Sequence, residues 1–340
     1  MLTPDDQHAL LNWYDEHQRD LPWRQTNDPW AILLSEVLLQ QTQVSRGLVY
    51  WQRMVDTFPT VASMAQAPVD SVLKAWEGAG YYSRARRLHS LSQRVMLPKA
   101  EGGFDGRLPS AYDELLSLPG IGPYTAAAVA SIAFGQPEAC VDGNIRRVMA
   151  RQTAQPDPTP KEVQAWANES LQTERPGDWN QALMELGATV CTPKRVGCDR
   201  CPVVKSCRGR SCPERYPLPK QQRITSVVLT AIVDHDAQGR PVLVQRPPEG
   251  LFGGLWGPVY NDGRPESFDS YVEAGTVKHQ LSHRAMTVHV LVGALPVSAP
   301  GTDSDEVACS TLDEKVLMLA RRSLEEAASS TESIKQAGKV

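Results

Sequence analysis

The segment Leu118-Pro-Gly-Ile-Gly-Pro-Tyr124 is a glycine-rich turn that leads into the small, apolar run Thr125–Phe134. The glycines permit a positive φ and close backbone approach, and the second proline suits the first turn of a helix. The pattern predicts two helices joined by a hairpin turn over residues 109–134. Because N–H groups at a helix start bind anions, Gly120 and Gly122 are candidates for a phosphate contact. The alternative is an ordinary helix connection.

A carboxylate and several arginines follow this turn. The sequence Val141-Asp142-Gly-Asn144 precedes the basic run Arg146-Arg-Val-Met-Ala-Arg151. Asp142 is also a favoured residue for capping a helix, which is the simpler interpretation of its position. A phosphate-binding turn, then a carboxylate, then arginines indicate a site for chemistry on a nucleotide, with Arg146 as a phosphate contact.

The chain has seven cysteines, and four of them form the array Cys191-x6-Cys198-x2-Cys201-x5-Cys207. An odd number of cysteines without a secretion signal argues against a disulfide framework. The compact spacing is typical of a metal site, and by itself it leaves zinc and an iron–sulfur cluster open. Cys212, five residues further on, is the rival ligand.

Length and composition are those of an ordinary protein of two or three domains, with 340 residues, 41% of them hydrophobic and 22% charged. We find no signal peptide and no run of about 18 apolar residues, so we expect a soluble, intracellular protein. The net charge of −4 falls on the C-terminal part, because residues 1–222 hold 24 Lys and Arg against 24 Asp and Glu, and residues 223–340 hold 11 against 15.

Basic residues are concentrated in two segments of this neutral first part. Residues 191–222 contain eight Lys and Arg against two acidic residues, and residues 81–95 contain four arginines, Arg84 among them, and no acid. Local basic patches, more than the net charge, determine affinity for phosphate. The alternative is a solvated helix face.

Glu36 lies within the apolar stretch Trp30–Val44, which we predict to be one helix. Burial raises the pKa of a carboxyl, which suits a general acid; the alternative is that Glu36 lies on an exposed face. The polar sequence Gln40-Gln-Thr-Gln43 ends this stretch and is able to contact base edges.

The remaining pattern divides the chain into a helical part and an α+β part. Helices are predicted throughout residues 1–211, with Gly78–Tyr82 as a glycine turn that carries paired aromatics. Three prolines mark residues 212–225 as a linker. Strands are predicted at 226–235 and 241–246, joined as a hairpin, and at 287–295; a helix at 312–328 and a frayed tail at 329–340 complete the chain.

In their order and their residues, these motifs resemble those of the adenine DNA glycosylases of the MutY type. The resemblance covers residues 5 to about 295 and rests on the motifs Leu-Ser-Glu36-Val-Leu-Leu-Gln-Gln-Thr, Gly80-Tyr-Tyr-Ser-Arg-Ala-Arg, the glycine turn, Val-Asp142-Gly-Asn and the cysteine array. It implies a helix-hairpin-helix fold with a [4Fe–4S] cluster on the four cysteines. It also implies excision of adenine mispaired with 8-oxoguanine or guanine in double-stranded DNA.

The resemblance assigns roles to individual residues. By this resemblance, Glu36 protonates the flipped adenine. Asp142 stabilises the sugar cation and bonds to it transiently before water completes hydrolysis. Glycoside cleavage likewise uses two carboxyls, one as an acid and one in its ionised form. Tyr124 and Asn144 hold this site. The remaining contacts implied for the adenine and the opposite base are Trp23, Arg24, Leu39, Gln41, Thr42, Tyr81 and Gln181.

Tyr124 stands where related bifunctional glycosylase/lyases of the endonuclease III type carry a nucleophilic lysine. A tyrosine forms no imine, so a monofunctional enzyme is expected. Two alternatives stay open: a bifunctional glycosylase/lyase, and a non-catalytic iron–sulfur DNA-binding protein, which needs neither carboxylate.

The C-terminal residues 226–328 resemble the MutT-like (Nudix-like) 8-oxoguanine-recognition domain of the same family. The chain lacks an Arg-Glu-x-x-Glu-Glu box, so hydrolysis of nucleotide pyrophosphates is not expected. Leu281-Ser282-His283 replaces a Phe-Ser-His loop, and Ser282 and His283 are the implied contacts to the damaged base. We expect a monomer of bacterial type in the cytoplasm, associated with the nucleoid and not with a membrane.

Overall fold

The computed structural model describes residues 2–219, 224–265 and 270–337. The chain divides into two compact units. The N-terminal unit comprises Met1–Ala67 and Arg87–Lys220, and the C-terminal unit comprises Pro68–Arg86 and Gln221–Val340. No helix in the described part of the chain has the length and apolar character needed to cross a membrane.

Eleven α-helices precede the first strand in the described residues, as the helical prediction required. They are α1 Pro4–His17, α2 Pro29–Leu38, α3 Val44–Thr57, α4 Val61–Gln66, α5 Val69–Ala75, α6 Ser83–Met96, α7 Tyr112–Leu116, α8 Pro123–Phe134, α9 Gly143–Thr153, α10 Pro160–Glu169 and α11 Pro176–Thr189.

The core of the N-terminal unit lies around α8, which packs against α2, α7 and α11. Its buried face consists of small residues, Thr125 to Ser131, which let neighbouring helices approach closely. Gly120 in the turn before α8 has φ +82°, and a β-carbon there would lie 2.7 Å from Cβ of Arg87. The predicted pair of helices and its hairpin turn are therefore confirmed, and glycine is required at this position.

The stretch 30–44 is not one helix, contrary to the prediction. Helix α2 ends at Leu38, and Gln41 has φ +59°, a left-handed conformation that a helix cannot contain. Leu39, Gln40 and Gln41 form a turn, after which α3 begins at Val44.

The C-terminal unit contains a four-stranded mixed sheet and a long helix. Its strands are β1 Thr225–Val233, β2 Val244–Gln245, β3 Trp256–Gly257, β4 Val259–Asp262, β5 Tyr271–Gln280 and β6 Arg284–Gly293. The sheet order is β4-β1-β6-β5, with β1 and β6 parallel and the outer pairs antiparallel; β2 and β3 form a separate pair. Helix α12, Thr311–Ala337, packs on this sheet through Leu312, Val316 and Ala320. The α+β prediction is confirmed.

Three details of this unit differ from the predictions. The expected hairpin of 226–235 with 241–246 is reduced to one bridge between His235 and Pro241, because β1 takes β4 and β6 as partners. Strands β3, β4 and β5 were not predicted. Helix α12 continues to Ala337, through most of the segment 329–340 that we expected to be frayed; residues 338–340 lie outside the described residues.

The division into units also changes the predicted boundaries. The segment Pro68–Arg86, which we placed in the region 1–211, belongs to the C-terminal unit. The physical reason is a set of hydrogen bonds across the sequence, since Tyr82 Oη donates to the carbonyl of Cys309 and Glu77 accepts from its N–H. The predicted linker 212–225 contains the boundary, and its residues 220–223 lie outside the described residues.

Candidate active site and cysteine cluster

A cavity of about 560 Å³ lies within the N-terminal unit. Its lining comes from α2 and the turn after it, from the starts of α8 and α9, and from α11. The predicted catalytic and substrate-binding residues of this unit all line it: Trp23, Arg24, Glu36, Leu39, Gln41, Thr42, Tyr124, Asp142, Asn144 and Gln181. Residues far apart in sequence are thus brought together around one space.

Glu36 reaches this cavity from α2, a helix buried from Trp30 to Leu38. Asp28 caps the helix by accepting hydrogen bonds from the N–H groups of Trp30 and Ala31. Glu36 is only 8% exposed, and Tyr124 Oη donates to its Oε2 at 2.6 Å. Burial raises the pKa of Glu36 to about 7; the Tyr124 hydrogen bond lowers it, and the nearby charge of Asp142 raises it.

Asp142 caps helix α9 and also faces the cavity, so both sequence interpretations hold. Its Oδ1 accepts from the Ile145 N–H at 2.7 Å, and its Oδ2 accepts from Nδ2 of Asn144 at 2.7 Å. Burial raises the pKa of Asp142, and these two hydrogen bonds oppose that rise because they favour the ionised form. Glu36 and Asp142 therefore differ in their surroundings: Glu36 is buried beside a phenol, and Asp142 accepts hydrogen bonds from two donors.

A chain of hydrogen bonds runs from Asp142 toward the cysteine array. Arg147 Nη2 donates to Oδ1 of Asn144 at 2.8 Å, and its Nε donates to the carbonyl oxygen of Cys191 at 2.8 Å. Helices α9 and α11 approach closely here, since a β-carbon at Gly187 would lie 2.5 Å from Cβ of Asn144. Arg147 Nη2 also donates to the Gly187 carbonyl.

A second buried acid in the cavity, Glu185, was missed by sequence reasoning. Its side chain is fully buried, and it accepts from Nε and Nη2 of Arg19 at 2.6 and 2.7 Å and from Nη2 of Arg24 at 2.8 Å. Burial raises the pKa of Glu185, but the two arginines outweigh that effect and the pKa is lowered. Arg24 also lies over the Tyr14 ring at 5.4 Å.

The turn after α2 is fixed to the hairpin helix. Gln40 Nε2 donates to Oγ1 of Thr125 at 3.1 Å, next to Tyr124. Gln41 and Thr42 follow and line the cavity, Gln41 with its positive φ. This contact links the polar turn to the helix that carries the tyrosine.

The four cysteines of the array surround one smaller cavity. Cys191, Cys198, Cys201 and Cys207 all line it, and Cys212 does not. Arg151, 3% exposed, extends beside it and places Nη1 3.2 Å from Sγ of Cys191. The guanidinium also donates to the carbonyl oxygens of Cys191, Thr192, Pro213 and Tyr216. A buried cation surrounded by neutral acceptors favours anionic sulfur ligands in the adjacent cavity.

Tyr81, Ser282 and His283 belong to the C-terminal unit. Tyr81 is 45% exposed, and its hydroxyl lies 2.5 Å from Oγ of Ser282. His283 is exposed, and its carbonyl accepts from the N–H of Thr225. The structure therefore brings two of these three side chains into direct contact.

The residues predicted to bind phosphate have unequal surroundings. Gly122 is the N-cap of α8 and provides no side-chain cap, so the first N–H groups of that helix stay available to an anion. Arg146 pairs with Asp157 at 2.8 Å. Arg84 is directed inward, with Nη2 3.2 Å from the Gly80 carbonyl.

Comparison with known proteins agrees with this geometry. Residues 34–173 match the family described as HhH-GPD superfamily base excision DNA repair protein. The chain is 44% identical over 223 residues to the human protein named adenine DNA glycosylase, covering 62% of this chain and 40% of that protein. It is 40% identical over 206 residues to the Mycolicibacterium smegmatis protein of the same name, covering 59% of this chain and 68% of that protein.

A solved structure described as a thermostable thymine-DNA glycosylase is also similar. It has a TM-score of 0.55 and 28% sequence identity, and the match covers 60% of this chain and 94% of that one. The chain spans about 40% of the human relative's length, and it spans 68% of the Mycolicibacterium smegmatis relative. On this similarity, the chain belongs to the adenine DNA glycosylase family of helix-hairpin-helix base excision repair proteins.

Proposed function

We propose that the protein is a monofunctional DNA glycosylase that releases adenine mispaired with 8-oxoguanine or guanine. The observation that carries this proposal is the contrast between Glu36, whose pKa is raised to about 7 by burial, and Asp142, held by two hydrogen-bond donors. A protonated acid and an ionised partner in one cavity are what cleavage of a glycosidic bond requires.

The reaction proceeds in two stages on these residues. The Glu36 carboxyl transfers its proton to N7 of the flipped adenine, and the glycosidic electrons leave with the neutral base. Asp142 stabilises the oxocarbenium-like sugar. Water then adds to the anomeric carbon, and its proton returns to the Glu36 carboxylate, which restores the enzyme.

Tyr124 supports hydrolysis without strand cleavage. A lyase step on the sugar needs an amine that forms an imine with the opened aldehyde. The position at the start of α8 that faces Glu36 carries a phenol, whose pKa burial raises well above its ordinary value. Tyr124 therefore stays protonated and acts as a hydrogen-bond donor. The presence of both carboxylates likewise disfavours a protein that only binds DNA.

We also propose that the four cysteines hold a [4Fe–4S] cluster. These four thiols line one cavity, and the nearby thiol of Cys212 does not. A [4Fe–4S] cluster takes one cysteine on each of its four irons, which agrees with this set of four. When bound, it would anchor the segment 191–207.

The DNA partner would be held at three kinds of contact. The N-terminus of α8 would take a phosphate, as would the basic segment 191–207. Gln41 and Thr42 would contact bases beside the flipped adenine. Tyr81, Ser282 and His283 would recognise the base opposite it.

The proposal is tested by single-turnover reactions on duplexes that contain one adenine opposite 8-oxoguanine, with and without alkali. Strand breaks that appear only after alkali are expected, because base release leaves an alkali-sensitive site. A second duplex, with thymine opposite guanine, is the control. It tests for release of thymine, the base in the description of the similar thymine-DNA glycosylase structure. Breaks without alkali, or faster release of thymine, would overturn the assignment.

A further inference from the structure

The turn that presents Tyr81 has a conformation that the chain does not favour by itself. Gly78 and Gly80 have φ of +84° and +71°, and Tyr81 itself has φ +49°. A bulky residue in the left-handed region costs free energy and persists only where its surroundings fix it. Contacts made by other residues must therefore hold this turn.

The residue after it, Tyr82, fixes the turn to the far end of the sequence. Tyr82 is buried, and its hydroxyl accepts from the Gly78 N–H at 3.1 Å and donates to the carbonyl of Cys309 at 3.0 Å. Glu77 Oε1 accepts from the N–H of the same Cys309 at 2.9 Å. Both backbone polar groups of Cys309 are thus bound by residues that flank the turn.

Cys309 is itself part of ordered structure in the C-terminal unit. It forms a parallel bridge with Trp256, whose N–H donates to the carbonyl of Ala308 at 2.9 Å. The hydroxyl of Tyr82 therefore connects the turn with a segment that is already fixed by the strand pair β2 and β3.

A second set of contacts fills the inside of the turn. Trp76 is fully buried and its Nε1 donates to the Gly80 carbonyl at 2.9 Å. The guanidinium of Arg84 lies 5.4 Å from the Trp76 ring centre and 5.2 Å from that of Tyr81. The Tyr81 ring thus lies over a partly buried cation, within reach of a cation–π interaction.

The outer end of Tyr81 meets the loop between β5 and β6. Its hydroxyl contacts Oγ of Ser282, and both residues are exposed. We propose that Tyr82 is a positioning residue, whose hydroxyl holds the Gly78–Tyr81 turn so that Tyr81 faces Ser282 and both read the base opposite the adenine. This inference rests on the proposed function and names how one part of its recognition site is set.

The test is Tyr82→Phe, which keeps the buried ring and removes the hydroxyl alone. Loss of the two buried hydrogen bonds of this hydroxyl is expected to lower preferential binding of A:8-oxoG over A:G duplexes about three- to tenfold. Binding would be measured in a Glu36→Gln background to prevent turnover. Adenine release would be measured with Tyr82→Phe in the protein that retains Glu36. When this variant is saturated with A:8-oxoG duplex, its rate constant for release is expected to equal that of the wild type.

The matched control is Tyr260→Phe, which also removes a buried phenol from this unit, one that donates to Asp313 at 2.9 Å. It is expected to leave the preference unchanged. Amide hydrogen exchange at Gly78 should become faster in Tyr82→Phe and not in Tyr260→Phe. A double-mutant cycle with Tyr81→Phe tests whether the two tyrosines act through one contact. If they do, the double variant should lose little more of the binding preference than either single variant.

Two outcomes would overturn the inference while leaving the proposed function intact. In one, Tyr82→Phe keeps the wild-type preference. In the other, it loses affinity for both duplexes equally, which indicates a structural effect only. Absence of adenine release from the wild-type protein would instead remove the proposed function on which the inference rests.

Discussion

The hydroxyl of Tyr124 lies 2.6 Å from Oε2 of Glu36 and donates a hydrogen bond to it. This contact holds the carboxyl in place and also tunes it. Burial raises the pKa of Glu36 to about 7, and the hydrogen bond from Tyr124 limits the rise because it favours the ionised form. The tyrosine thus sets how much of the acid is protonated near neutral pH.

The first prediction concerns the pH dependence of adenine release. The proposed mechanism requires a protonated Glu36, so the single-turnover rate should fall above a pH of about 7. Tyr124→Phe removes the hydrogen bond that lowers this pKa, so the falling limb should move to higher pH. Rates would be measured from pH 5 to 10 on saturated duplex. An unchanged limb, or a shift to lower pH, would show that Tyr124 does not tune Glu36.

A second prediction concerns stability, because ionisation of the buried Glu36 carboxyl destabilises the folded protein. The pKa of Glu36 is higher in the folded protein than its ordinary value of 4.5, so the unfolded state ionises first and stability falls as pH rises from 4.5 to about 7. Glu36→Gln should therefore stabilise the protein more at pH 8 than at pH 4, by roughly 3 kcal/mol. Urea unfolding at both pH values measures the difference.

The control for stability is Glu162→Gln. Glu162 is exposed, and hydrogen bonds from the backbone and side chain of Thr159 lower its pKa, so its variant should change with pH in the opposite direction. If both variants responded to pH alike, burial of Glu36 would not be the cause of its effect.

A third prediction concerns Asn144, whose Nδ2 donates to Oδ2 of Asp142 at 2.7 Å. Asn144→Ala removes a hydrogen bond that lowers the pKa of Asp142, so the limb of the rate profile on the acid side should move to higher pH. Thr153 lies near the end of the same helix, and its hydroxyl donates to the Met149 carbonyl and not to Asp142. Thr153→Val therefore serves as the control. An acid limb that stays in place in Asn144→Ala would exclude this role.

A fourth prediction separates the cysteines. Cys198 lines the cavity of the array and Cys212 does not. Cys198→Ser should lose most of the bound iron and sulfide and weaken DNA binding, and Cys212→Ser should keep both. Iron, sulfide and zinc contents of the purified variants measure the effect. Stoichiometric zinc in the wild-type protein, or iron loss only from Cys212→Ser, contradicts the cluster assignment.

Much of the site could be predicted because its residues stand in short local patterns. Glu36 interrupts an apolar run, and Asp142 follows a glycine turn at a fixed distance. Glu185 could not be found in this way, since a glutamate in a helix is usually exposed. Its burial depends on Arg19 and Arg24, more than 160 positions away in sequence.

The fold shows the same division between local and distant determinants. The helices follow from periodicity, caps and prolines, as at Thr159, where a capping box begins α10. The sheet does not, because β1 lies between β4 and β6, and its parallel partner β6 is about sixty residues away. The turn sequence directly after β1 therefore predicted a hairpin with 241–246, whereas β1 pairs with the distant strands β4 and β6. Gly275 and its bulge also disturb the alternation that would have indicated β5.

The most direct test of the account is Glu36→Gln, assayed for adenine release and for binding to the same A:8-oxoG duplex. Removal of a general acid should slow single-turnover release by about 10²–10⁴-fold. Binding should stay within a few-fold of wild type, because the substitution preserves the shape of the side chain. Release at a near-normal rate from a variant that binds normally would contradict the role of Glu36 as the acid.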